Sequence, residues 1–189
     1  MITETNDLTR CFGAGDPLYE RYHDEEWGVP VRSDAELFER IVLEGAQSGL
    51  AWITILRKRE GYREAFEGFD PDAVAAFDQE RIEELMLNPG IVRNRRKIES
   101  AVTNARAVVG LRETGTTLTE LVWQFAPEPR PAPPASWSEV PASTAESVAL
   151  AKALKAAGFV FVGPTTMYAA MQACGLVDDH IEGCVSARR

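Results

Sequence analysis

Two histidines and three cysteines are all that this 189-residue sequence holds of the softer metal-binding side chains. An odd cysteine count without a secretory signal argues against a disulfide framework and for metal ligands or buried thiols. Long apolar runs are missing: none approaches the roughly 20 residues that cross a bilayer. The start, MITETNDLTR, lacks both a basic region and an apolar segment of leader type. The expectation is a cytoplasmic protein with no membrane partner. Positive charge is also short, 20 Lys and Arg against 29 Asp and Glu for a net charge of -9. That excludes indiscriminate phosphate binding, so any nucleic-acid footprint must be local. Neither an alternating strand pair nor a repeat of solenoid period is visible, and no aspartate occurs between Asp78 and Asp178.

What is present predicts an all-α protein. A hydrophobic content of 45% allows a sizeable core in one compact unit or in two lobes sharing a cleft. Asp16-Pro17 opens a helix that stops near Gly28 and Pro30. Ser33 with Glu36 reads as a capping box for a helix to about Gln47, with Leu37, Phe38, Ile41 and Val42 inward. Gly49 suits the left-handed position that ends it, and Leu50-Ala51-Trp52 opens the next run. Asp70-Pro71 and Asp78 cap further helices, and a tight turn at Asn88-Pro89-Gly90 precedes a long one through Ile98, Val102, Ala105 and Val109. Residues 126–141, APEPRPAPPASWSEVP, hold too much proline for a regular element and read as a loop pinned by Trp137. Ser143 or Thr144 caps a helix to Lys155, a short buried connector follows, and Pro164 opens the last helix. The sum is roughly nine or ten helices.

Four groups of residues could carry chemistry. Cys11 and His23 near one end, with His180 and Cys184 near the other, make a Cys2His2 set suited to tetrahedral zinc with no open position. Spacing alone does not force the two halves to meet. Cys174 reads as a buried thiol. Tyr19, Tyr22, Trp27 and Trp52 flank Glu44, which sits at the edge of an apolar stripe beside small residues. Aromatic faces and a half-buried carboxylate suit a flat cationic ligand, although a salt bridge from Glu44 to Arg40 is the plainer alternative. Leu50, at a glycine turn, is a candidate wedge. Beside Asn88-Pro89-Gly90, the cluster Arg93, Arg95, Arg96 and Lys97 could present amides and cations to a phosphate, or could be a solvated helix face. Arg57-Lys58-Arg59 is a weaker patch.

The combined motifs DPLYERYHDEEWGVP, LEGAQSGLAWITILRKRE, GIVRNRRKI with NARA, and FVGPTTMYAAMQACGLVDDH running into HIEGC resemble the DNA-3-methyladenine glycosylase I family over nearly the whole chain. The resemblance implies a helix-hairpin-helix glycosylase fold, two helical lobes around a cleft, in a single domain over 1–189. It implies one structural zinc on Cys11, His23, His180 and Cys184, joining the chain ends. It places Glu44 at the catalytic, base-contacting carboxylate, with Tyr22, Trp52, Trp27 and Tyr19 around the base. Leu50 and Gly49 fall at the wedge turn, and Gly90, Arg93 and Lys97 on the DNA backbone. The expected substrate is alkylated double-stranded DNA and the product free 3-methyladenine, released by a protein acting as a monomer.

Two positions depart from the family pattern: Cys11-Phe12-Gly13 stands where CGW is common, and NPGIV replaces a turn with two glycines. The aspartate gap removes the hairpin-following aspartate of many such glycosylases, and Asn94 stands where a nucleophilic lysine would be. A monofunctional hydrolase without strand cleavage is therefore expected. A zinc-stapled helical module that binds DNA without catalysis, and an enzyme acting on a small cationic metabolite, are the competing expectations.

Overall fold

A computed structural model describes residues 9–187 of the chain; the segment 1–8, which carries most of the leader argument, lies outside the described residues. Ten α-helices, two 3-10 turns and no strand make up the described residues. The helices are α1 (Pro17–Glu25), α2 (Asp34–Gln47), α3 (Trp52–Leu56), α4 (Arg59–Ala65), α5 (Pro71–Ala75), α6 (Gln79–Leu87), α7 (Arg95–Glu113), α8 (Leu118–Trp123), α9 (Ala145–Ala156) and α10 (Pro164–Ala173). None is long and apolar enough to cross a membrane.

Most starts follow the local signals. Asp16 accepts from the amides of Leu18 and Tyr19 with Pro17 in the first turn. Asp70, Asp78 and Thr144 cap α5, α6 and α9 through Asp72, Arg81 and Ser147. These side chains satisfy amides that the first helical turn leaves without partners. The box at Ser33 does not form, for Ser33 makes no cap bond. Its neighbour Asp34 instead accepts from the backbone amides of Leu118 and Thr119, thereby serving the start of α8.

Helix α7 packs across α5, and α2 lies against both α7 and α10. Because α7 is enclosed on several sides, its buried arc is wider than the expected stripe: Ile98, Ala101, Val102, Asn104, Ala105 and Val108 are buried, while Val109 is half-buried. The connector after α9 is only partly buried. Phe159 and Val162 enter the core and Val160 is exposed, with its amide and carbonyl held by the Asn104 side chain at 2.8 and 3.1 Å.

A second, smaller cluster brings together Tyr22, Trp27, Leu56 and Ala173, with Cys11, Phe12, Leu18, Tyr19 and Ile53 at its edge. Trp52 packs on both clusters. The seam between them lies at α3, which contacts both α1 and α2.

Candidate active site and metal centre

Leu37, Phe38, Ile41, Val42 and Leu43 commit α2 to the core, and that carries Glu44 inward with them to 5% exposure. No hydrogen bond or ion pair joins the Glu44 carboxylate to another described residue. Burial pushes its pKa up to about 8, with the charge of Arg40 pulling the other way. Arg40 does not close the salt bridge considered from the sequence. Its Nη2 donates to Glu26 Oε2 at 3.1 Å, Arg59 holds the other oxygen of Glu26 at 2.8 Å, and the Arg40 Nη1 is buried without a partner.

The rings of Tyr22 and Trp52 lie with centroids 5.4 Å apart, and burial, with the negative charge of nearby Glu44, raises the pKa of Tyr22. Tyr19, half-buried, feels Glu44 as well. The Trp52 indole Nε1 is buried with no acceptor. A lone carboxylate beside Tyr22, and a Trp52 that touches Tyr22 and carries an unsatisfied donor, therefore make up a candidate recess. Such an arrangement is costly to leave empty and suits a flat, cationic, hydrogen-bonding ligand.

The Trp27 amide bonds Tyr22 O beyond the end of α1, a turn that swings the indole onto the histidines, 4.6 Å from the His180 ring and 6.1 Å from that of His23. Cys11, His23 and Cys184 offer three ligand atoms within 4.8 Å of one another. The His180 ring lies edge-on to His23 with centroids 5.1 Å apart, beside this three-residue group.

The protonation pattern fits an ion. His23 Nδ1 lies 2.8 Å from Asp24 Oδ1, and His180 Nδ1 lies 2.7 Å from Asp178 Oδ1. The Nε2 of His180 is a buried atom with no other partner, while that of His23 meets the Cys11 amide at 3.2 Å and Cys184 Sγ at 3.4 Å. Arg10 braces Asp24 through two hydrogen bonds at 2.9 and 2.8 Å. Gly28, with φ of 79°, is shaped by this cluster: a Cβ there would stand 2.8 Å from His180 Cε1.

After Glu44 the chain makes a type II turn, with Ser48 at φ -46°, ψ 117° and Gly49 at φ 80°. Leu50 stands beyond it at 37% exposure. In the hairpin, the Gly90 amide donates to Asn88 Oδ1 at 2.7 Å and the Val92 amide to the Tyr62 hydroxyl at 3.2 Å. Gly61 and Gly90 face each other so closely that a Cβ on Gly61 would meet Gly90 O at 2.5 Å.

With the geometry in place, the comparisons are informative. The sequence matches the family model for methyladenine glycosylase over residues 12–187. The DNA-3-methyladenine glycosylase 1 of Escherichia coli K12 is 51% identical over 179 residues, covering 94% of this chain and 96% of that protein. The chain belongs to the methyladenine glycosylase family. The DNA-3-methyladenine glycosylase of Haemophilus influenzae is 46% identical over 93% of this chain and 96% of its own length. A crystal structure of 3-methyladenine DNA glycosylase I superposes with a TM-score of 0.92 at 49% identity, over 95% of this chain and all of that one. The Staphylococcus aureus enzyme, solved to explain 3-methyladenine recognition, gives 0.90 at 34% identity over 95% of this chain and 96% of that one.

Family membership sharpens the corrections. Trp27 packs on the rings of His180 and His23 as well as in the cluster that holds Tyr22. Phe12, where the pattern has tryptophan, fills the space between His23 and Trp27 with centroids 5.0 and 5.1 Å away. Of the basic cluster, Arg95 is held by Glu83 at 2.6 Å, while Arg93 and Arg96 are exposed. Lys97 donates to the carbonyls of Ala46 and Ser48 at 2.7 and 2.8 Å instead of projecting outward. The second patch is likewise engaged, with Arg57 on Asp16, Lys58 on Pro89 O and Arg59 on Glu26. Sequence reasoning missed Asp24 and Asp178 as orienters of the histidines, although an acidic residue one position from His23 and another two positions from His180 were a visible signal. It also gave no role to the Arg40–Glu26–Arg59 network.

Proposed function

We propose that this protein excises N3-methyladenine from alkylated duplex DNA by hydrolysing the N-glycosidic bond, without strand cleavage. The observation that carries the proposal is Glu44: a buried carboxylate with no ion-pair partner, beside Tyr22, whose ring packs on Trp52, in a chain of the methyladenine glycosylase family. A base methylated at N3 is cationic within DNA. Entering the recess, it gives the aromatics a positive face and Glu44 a counter-charge, so the same contacts select it over ordinary purines.

The damaged nucleotide leaves the stack, and Leu50 fills the gap. The glycosidic bond breaks with its electron pair going to the base, which departs neutral because it already carried the charge. No enzyme acid has to protonate it. Positive charge then builds on the sugar, and an ionised Glu44 stabilises it. Water adds at the sugar carbon and loses a proton. Gly90, Arg93 and Arg96 form the backbone-facing side of the hairpin.

Cys11, His23, His180 and Cys184 would hold a zinc ion, which would tie the two ends of the chain together and leave no open coordination position. The braced imidazoles and paired thiols support this assignment. The chain is taken to act as one domain and as a monomer in the cytoplasm. The decisive experiment is chromatography of bases released from methylating-agent-treated duplex DNA. Selective release of 3-methyladenine, with 7-methylguanine retained, is the expected result. No release by folded, metal-loaded protein would leave a DNA-binding module instead.

A further inference from the structure

The end of α2 has no basic residue in its last turn, although helix C-termini carry unpartnered carbonyls and partial negative charge. The missing cation comes from α7. Lys97 is the third residue of that helix, and its ammonium reaches two carbonyls of the α2 terminus, Ala46 O at 2.7 Å and Ser48 O at 2.8 Å. These carbonyls bracket the start of the turn that ends in Leu50, whose amide donates to Gln47 O at 2.7 Å. Gln47 Nε2 pins the Leu50 carbonyl from the other side at 2.8 Å. Glu44 is one helical turn upstream. The start of α7, meanwhile, follows the hairpin directly: Asn94 caps it and Arg93 and Arg96 flank it in solvent. A single side chain therefore connects the element that faces the DNA backbone with the element that carries the wedge.

We propose that Lys97 is a positioning residue that sets the wedge turn, so that docking the hairpin on the phosphates delivers Leu50 to the base step in register. Two of its three donors are held by these carbonyls, which turns the ammonium toward α2 rather than toward a phosphate. Burial lowers its pKa, in keeping with an ammonium withdrawn from solvent. This inference rests on the glycosylase reading above, and predicts that the flipping step and the base-binding step respond differently to one substitution.

The test uses Lys97→Met, which keeps the length of the side chain and removes the charge, with Lys97→Arg as the rescue. Single-turnover excision from methylated duplex should fall about tenfold to a hundredfold in Lys97→Met, the scale expected when a reacting group is displaced by about an ångström. Affinity for free 3-methyladenine should change by less than about twofold, because the recess is left intact. The fluorescence response of 2-aminopurine placed opposite a tetrahydrofuran abasic site, which reports wedge insertion, should shrink with the excision rate. The salt slope for binding undamaged duplex should stay as in the unmodified protein. Lys97→Arg should recover most of the rate.

Uniformly weaker binding to undamaged duplex, with the slope reduced by about one, would make Lys97 a phosphate contact and overturn the inference. Unchanged excision would overturn it too. Should Lys97→Met fold poorly, Gln47→Leu carries the test, for it releases the same turn without altering charge. Full excision by that variant would sink the idea. If the unmodified protein releases no 3-methyladenine, the enzymatic reading fails and this inference with it.

Discussion

The metal centre and the Glu44 recess lie side by side across Tyr22 and His23, consecutive residues of α1, yet they are built on opposite terms. Around the histidines the polar groups have partners: Asp24 and Asp178 on the imidazoles, Arg10 on Asp24, and the Ile181 amide on Cys11 Sγ at 3.4 Å. The exception is His180 Nε2, buried without a partner. Around Glu44 the polar groups are left without partners: a carboxylate with no ion pair, the Trp52 N–H and one nitrogen of Arg40. Buried groups without partners are costly, so their accumulation marks a place kept ready for a ligand, while full satisfaction marks a place kept rigid.

The comparison can be broken at four points. The largest effect belongs to the metal centre. Cys184→Ala, or removal of the ion by a chelator, should cost more than about 4 kcal/mol, read as a fall in Tm of roughly 10 °C. Base release should be lost only as folding is lost.

Glu44→Gln should act the other way round. Excision should fall by about a hundredfold or more, while Tm at pH 8 rises by a few degrees, about 2–6 °C. The sign follows from linkage. The folded pKa of about 8 lies above the ordinary 4.5, so between those values the folded chain binds the extra proton and stability declines as pH rises. The stabilisation by glutamine should therefore fade as pH drops toward 4.5. A parallel loss of stability and activity would remove the distinction between the two regions.

The same ionisation predicts kcat/KM for excision that rises with pH and levels off above about 8, a profile that Glu44→Gln should flatten. Smaller effects are expected at two glycines of similar backbone. Gly28→Ala meets His180 as well as an unfavourable φ, and should cost about 2–3 kcal/mol, partly recovered with excess metal. Gly49→Ala has open space around its Cβ and should cost about 1 kcal/mol from the backbone alone. Equal penalties by thermal melting would show that the His180 contact is not what fixes Gly28.

Elements governed by their own residues were legible in the sequence. Asp16-Pro17, Asp70-Pro71, Asp78 and Thr144 each cap the helix that follows, because donor and acceptor are within a few residues. Cys11, His23 and Cys184 come from motifs far apart in the sequence, and the fold places their ligand atoms within 4.8 Å of one another. Ser33 and Lys97 were not readable, for one shared reason: each outcome depends on a distant segment. Asp34 serves α8 rather than joining a box with Ser33, and Lys97 is captured by carbonyls of α2. Charge and periodicity describe what a side chain can do, while tertiary packing decides which partner it reaches first.

The metal centre has one more consequence, for the order in which the molecule forms. Cys11 and Cys184 lie near opposite ends of the chain, and the Val185 amide bonds Thr9 O at 3.0 Å beside them. These contacts close nearly the longest loop the chain can make, whereas α4 to α7 are joined by neighbours in sequence. Contacts of such high separation lose the most chain entropy on closing and are rewarded last. The larger core can therefore assemble before the smaller cluster exists, and hydrogen exchange should find α1 and the C-terminal segment opening first and together.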